Sequence, residues 1–245
     1  MYQPNFRKRK DNIPILSKRE IDEIAGGYLL DFAPDAVLNP QPINIDSFLE
    51  NYLGLILDYQ YLSHDGRYLG MTVFNDTNRI PVFIPEDNLA GYYSATAGTV
   101  VIDTNLTADN QLNRCRYTCA HEGGHWVFHR GYYSYDPNQL TLFEMNQSFV
   151  QCREVSHADL STDTTTWDGE RWMEWQADKF ASCFLMPNTA VHNLLEDWNL
   201  KEEKASDMIA TVSQTFQVSK EAACYRLMDL GYIKSGIDKA QLLIF

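Results

Sequence analysis

At 245 residues the chain is long enough to bury a sizeable core, as one large domain or two small ones. Its 44% hydrophobic and 13% aromatic content excludes disorder over most of the length. A formal net charge of -13 argues against a nucleic-acid binder, whose phosphate partner demands a positive face, and fits a soluble enzyme or one that takes basic peptides.

Residues 1–16 read as a basic N-terminal tail, with Arg7-Lys8-Arg9-Lys10 ahead of the short apolar run Ile13-Pro14-Ile15-Leu16. A secretory signal needs an apolar core of about 7 to 15 residues, and a membrane span needs roughly 18. Neither length is reached, so the expectation is a cytoplasmic protein with no membrane association. Five cysteines without a short-spaced framework fit reduced thiols in that compartment. Ser17-Lys18-Arg19-Glu20 is a capping box, and Ile21, Ile24, Ala25 and Tyr28 follow at helical spacing, predicting a helix to about Leu30. Residues 34–42 form a proline-punctuated connector. Asp46 or Ser47 caps a short second helix, with Phe48, Leu49, Tyr52 and Leu53 inward and Gly54 as its stop. Strand-like runs at 55–61, 68–74, 80–84 and 99–102, rich in β-branched and aromatic residues, predict a small sheet across 55–105. Tyr92-Tyr93-Ser94 to Gly98 reads as a loop. An edge strand of this sheet would suit an extended peptide that adds to it.

A helix is predicted over 110–131, and it carries His121-Glu122-Gly123-Gly124-His125. Residues four apart on a helix share a face, so His121 and His125 aim two imidazoles at one point while Glu122 projects beside them. This is the H-E-x-x-H arrangement of zinc hydrolases: two nitrogen ligands and a carboxylate general base that serves a zinc-activated water. Two glycines inside a helix cost about 1 kcal/mol each relative to alanine, so Gly123 and Gly124 imply close approach by a neighbouring element.

Zinc needs a third protein ligand. A histidine six residues after His125 would supply one, but that position is Gly131. A second helix over 169–187, ended by Pro187, offers Glu174 and Asp178 on one face. Glu174 is the expected third ligand and Asp178 the acceptor for a ligand histidine's free N–H. Glu170, one turn earlier, competes for the ligand role if the helix is rotated. A thiolate site at Cys115 and Cys119 is the other metal reading, though no C-x-x-C knuckle accompanies it.

Residues 132–168 read as a polar insertion, either a rim over the cleft or surface decoration. His157, Tyr132 and Tyr133 are its candidates for transition-state stabilisation, against simple exposure. Residues 189–245 form a C-terminal helical subdomain of three short helices. The part from 204 to 231 has helix-turn-helix proportions, with Ser219 as a cap. Its second helix sets only Lys220 and Arg226 against Glu221 and Asp229, which favours a packed subdomain over a DNA contact.

The run from Arg114 to His125, followed by His129, resembles the metal-binding helix of the ImmA/IrrE family of metallo-endopeptidases. Its members carry a phrase such as R-F-T-x-A-H-E-x-G-H with another histidine four residues on. Glu174-Trp175-Gln176-Ala177-Asp178-Lys179-Phe180-Ala181, then Leu185-Met186-Pro187, is similar to the family's second phrase. Phe216-Gln217-Val218-Ser219, Arg226-Leu227 and Leu230-Gly231 are similar to its ending. The resemblance covers about residues 17–233. It implies a gluzincin-like fold with His121, His125 and Glu174 as zinc ligands, Glu122 as catalytic base, and a protein substrate such as a transcriptional repressor. His129 fits the family's extra histidine, either supporting the ligands or packing. Gly123 stands where members carry a larger apolar residue, the gap from His125 to Glu174 is longer than usual, and the N-terminal helix-turn-helix common in the family is not read here.

The expectation is therefore an α+β fold, with a small mixed or antiparallel sheet packed on the H-E-x-x-H helix and a C-terminal helical subdomain. Residues 17–188 would be the metallopeptidase domain, with helices across 17–54. Its activity would be zinc-dependent endopeptidase cleavage of a specific intracellular protein. The alternative is a non-catalytic, zinc-containing regulatory module that binds a protein partner.

Overall fold

A computed structural model describes residues 1–133, 149–153, 167–198 and 204–234. The architecture is α+β, and the chain divides into two compact units that interleave along the sequence. One comprises 5–16 and 45–178, the other 1–4, 17–44 and 179–245. The contiguous segments expected from the sequence do not follow this interleaving.

In the first unit, the basic run at the N terminus sits in a tight turn rather than trailing free. Arg9 N donates to Ile13 O at 2.8 Å and Ile15 N to Arg7 O at 2.9 Å, with Asn12 in the left-handed region (φ 66°) at the bend. The turn brings Ile13 into a small core with Phe74, Tyr133 and Met173, against which Trp126 packs. Helix α1 (Lys18–Phe32) and the short α2 (Asp35–Leu38) belong to the other unit. The chain returns at α3 (Ile45–Ser47), which passes directly into a π-helical turn, Phe48–Tyr52. Phe48 and Leu49 are its buried residues, and Gly54 ends it at a positive φ of 71°.

Strands β1 (Ile56–Gln60), β2 (Tyr68–Val73), β3 (Thr77–Ile84), β4 (Leu89–Ala95), β5 (Thr99–Asp103) and β6 (Phe149–Arg153) follow. Four of them make a mixed sheet in the order β1-β5-β2-β6, in which β1 and β5 are parallel and the other pairs antiparallel. Every residue of the inner strand β5 is buried, and its centre, Val100-Val101-Ile102, is a continuous apolar run.

The sheet differs from the sequence reading in two places. Strand β3 leaves it for a hairpin with β4, so 92–95, read as part of a loop, is strand. Ile80 opposes Tyr93 there, and Tyr93 packs with Ala95 against Met71, Val73, Ile80 and Val82. The segment 132–168, read as an insertion, contributes β6, which pairs with β2 from Tyr68↔Arg153 to Val73↔Phe149. Residues 134–148 and 154–166 of that segment lie outside those described, His157 among them.

Helix α4 (Leu112–Tyr133) packs on β2 and β5. Its centre is buried on all sides from Thr118 to His125, and Gly123 shows the reason for a small residue. A Cβ there would stand 2.9 Å from Leu49 Cδ2. Helix α5 (Gly169–Leu185) contributes its first part, through Asp178, to the same unit.

In the other unit, the predicted capping box of α1 is present. The Ser17 hydroxyl accepts from Glu20 N at 3.3 Å, and Ser17 N donates to Glu20 Oε2 at 2.8 Å. The end of α5 continues into α6 (Asn188–Leu194), α7 (Ala205–Phe216) and α8 (Lys220–Asp229). Gln217 adopts a left-handed conformation (φ 52°) between α7 and α8, and Ser219 caps α8 by accepting from Ala222 N at 3.1 Å. Arg226 is buried. It donates to Asp22 Oδ1 at 2.6 Å and to Met186 O at 2.9 Å, so its guanidinium serves the interior and not a nucleic acid. Among the described residues no helix is long and apolar enough to cross a membrane.

Candidate metal centre

Helix α4 places His121 and His125 one turn apart on its buried face, their Nε2 atoms 3.0 Å from each other. Helix α5 brings Glu174 onto the same point: Oε2 lies 3.4 Å from His121 Nε2 and Oε1 lies 3.3 Å from His125 Nε2. Among the described residues, these three form the cluster able to hold a metal ion. Burial alone would raise the Glu174 carboxyl, but the imidazoles of His125 and His121 outweigh it and hold the group well below the usual carboxylate range.

The donor set fits a divalent ion. Ligand bonds of about 2.0 Å at tetrahedral angles set ligand atoms about 3.3 Å apart, and the observed separations of 3.0, 3.3 and 3.4 Å are close to that edge. Two imidazole nitrogens and a carboxylate facing one another repel unless a cation or protons lie between them. Nitrogen and oxygen donors in this number suit zinc.

Glu122 is wholly buried against the sheet. The Thr72 hydroxyl on β2 lies 2.6 Å from Glu122 Oε2 and 3.0 Å from the Glu122 carbonyl oxygen. Oε1 is buried with no hydrogen-bond partner, a costly arrangement for a carboxylate and one that points to a missing polar neighbour at the site. Burial pushes the Glu122 carboxyl up, opposed by His125, His121 and the Thr72 hydrogen bond. Gly70 makes the close approach of helix and strand feasible. A Cβ there would stand 2.7 Å from Thr118 Cγ2 and 2.8 Å from Glu122 Oε1.

His129 is placed one turn beyond His125, with the two Nδ1 atoms 3.0 Å apart. Its Nε2 faces Gln176 Oε1 at 3.0 Å, and Gln176 Nε2 donates to the Pro14 carbonyl at 2.8 Å. Burial, and then the neighbouring His125, push His129 well below the usual imidazole range. Asp178 accepts from the Tyr117 hydroxyl at 2.9 Å. Glu170 is exposed and outside the cluster. Cys115 and Cys119 are buried free thiols. Tyr133 is buried and stacked on Phe74 at 4.7 Å, which makes it a packing residue.

Sequence reasoning missed Thr72, Gly70, Gln176 and Pro14. Gln176 had one signal available: it lies between Glu174 and Asp178 on a helix already assigned to the site. The others lie 48 or more positions from the groups they meet and carry no local pattern.

A peptidase family model, described as IrrE N-terminal-like domain, matches residues 144–228. The match supports assignment of the chain to the ImmA/IrrE family. It includes Glu174, the helices from α5 to α7 and all but the last residue of α8, and it begins after His121 and His125. No curated protein matches the chain.

Proposed function

We propose that this protein is a zinc-dependent endopeptidase that hydrolyses a peptide bond in a specific intracellular protein. The observation that carries the reading is the convergence of His121, His125 and Glu174 beside the buried, half-satisfied carboxylate of Glu122. In this reading the first three hold zinc, which when bound acidifies water and polarises a carbonyl. Glu122 is the general base. The Thr72 hydroxyl occupies Oε2 and fixes the carboxylate plane, leaving Oε1 to take a proton from the attacking water and return it to the leaving amine. Among the described residues, β1 and β6 are the outer strands of the four-stranded sheet, and β6 neighbours the strand that carries Gly70 and Thr72. An extended peptide pairing along β6 would lie one strand removed from them.

The match to a peptidase family supports a protein substrate; a repressor is the candidate that the family resemblance favours. The test is incubation of the zinc-loaded chain and of Glu122→Gln with candidate repressors, followed by mass spectrometry. Cleavage by the first alone, at equal zinc content, supports the reading. Partner binding without products from either chain would replace it with a non-catalytic regulatory module.

A further inference from the structure

A chain of hydrogen bonds leads from the basic N-terminal turn to His125, and its direction is fixed at one end. A carbonyl oxygen only accepts, so the Gln176 group that meets Pro14 O is the NH2. Gln176 therefore turns its carbonyl oxygen to His129 Nε2, 3.0 Å away, and that nitrogen must carry a proton. His129 is fully buried, and its two ring nitrogens face His125 Nδ1 and the Gln176 amide oxygen. With a metal on His125 Nε2, the proton of that imidazole sits on Nδ1 and is donated to His129 Nδ1, 3.0 Å away, which the Nε2–H form of His129 leaves bare. The lone pair left for the metal is that of His125 Nε2. That lone pair is the one aimed at Glu174 and His121.

We propose that Pro14 O, Gln176 and His129 hold His125 by its Nδ1–H, so that Nε2 is the nitrogen presented to the metal. Gln176 and His129 are positioning residues in this scheme, and the basic turn of residues 7–15 presents the carbonyl that orients them. The inference rests on the metal-site reading, and its test reads tautomers and zinc affinity rather than hydrolysis.

The test is two-bond ¹H–¹⁵N correlation of the histidine rings in the full chain, first stripped with a chelator and then loaded with zinc, at neutral pH. The expected result in the zinc-loaded chain is His125 as Nδ1–H and His129 as Nε2–H, each in a single form. His125 as Nε2–H, or His129 as Nδ1–H or doubly protonated, would overturn the proposal. In Gln176→Leu, the His129 signal should lose its single tautomer and zinc affinity by chelator competition should fall about 10-fold or more. An unchanged tautomer and affinity in that variant would also overturn it. A chain with the expected tautomers that cleaves no protein would refute the peptidase reading alone.

Discussion

Thr72, on an inner strand of the mixed sheet, hydrogen-bonds the carboxylate of Glu122 on the facing helix across 2.6 Å, and both residues are wholly buried. Thr72→Val keeps the shape and removes the donor. It would leave both carboxylate oxygens unsatisfied, at a cost of about 1–3 kcal/mol. Chemical denaturation should show that loss and metal analysis an unchanged zinc content. Peptide hydrolysis should drop about 10-fold or more, as expected when a general base is misplaced, and Thr72→Ser should restore most of it.

Gly70 and Gly123 flank the same helix contact but should respond differently to alanine. At Gly70 the added methyl meets Thr118 Cγ2 and Glu122 Oε1 inside a closed contact, and overpacking should cost about 1–3 kcal/mol. At Gly123 it presses on the tip of Leu49 and touches Phe48 at an ordinary contact distance, and the gain in helix propensity of about 1 kcal/mol offsets that shift. Thermal melts of the two variants should place Gly70→Ala clearly below the parent and Gly123→Ala close to it.

Much of this arrangement is legible in the sequence, and the boundary has physical causes. His121, Glu122, His125 and Glu174 lie on helices whose 3.6-residue period reports which side chains share a face. The Ser17–Glu20 box and the Ser219 cap are likewise local, written within four residues of chain. Strand β4 was not legible because a two-stranded hairpin buries little. Its residues alternate only between exposed and half-buried, and Ala90, Gly91 and Ser94 carry weak strand preference. Strand β6 owes its place to pairing with β2, some eighty residues upstream. Thr72, Gln176 and Pro14 matter only through neighbours 47 to 162 residues away, a relationship that periodicity does not encode.

Asp229 supplies a pH-dependent contribution in the helical unit. Its carboxylate meets Lys18 at 2.9 Å and also Lys179. Burial alone would raise it, but the two ammonium groups hold it below the ordinary carboxylate value. A depressed folded-state value means stability that is present above the ordinary range near 4 and is lost as pH falls through the depressed value. Asp229→Asn should therefore cost about 1 kcal/mol at pH 7. Denaturation curves of the two chains should converge below about pH 3. A gap that stays constant across that window would contradict the assignment.

Metal removal should read as a loss of stability, because an ion bound only by the folded chain stabilises it by mass action. Zinc at 100 times its dissociation constant contributes about 2.7 kcal/mol. The full chain should melt several degrees lower after chelation, and Glu174→Gln should melt at nearly one temperature with and without added zinc. Calorimetry on the two chains, with and without chelator, separates these outcomes.

The most direct test of the central claim is an anomalous difference map at the zinc edge from crystals of the zinc-loaded full chain. The account predicts one strong peak per chain within bonding distance of His121 Nε2, His125 Nε2 and a Glu174 carboxylate oxygen. A peak bound instead by Cys115 and Cys119, or none between the two imidazoles, would contradict it.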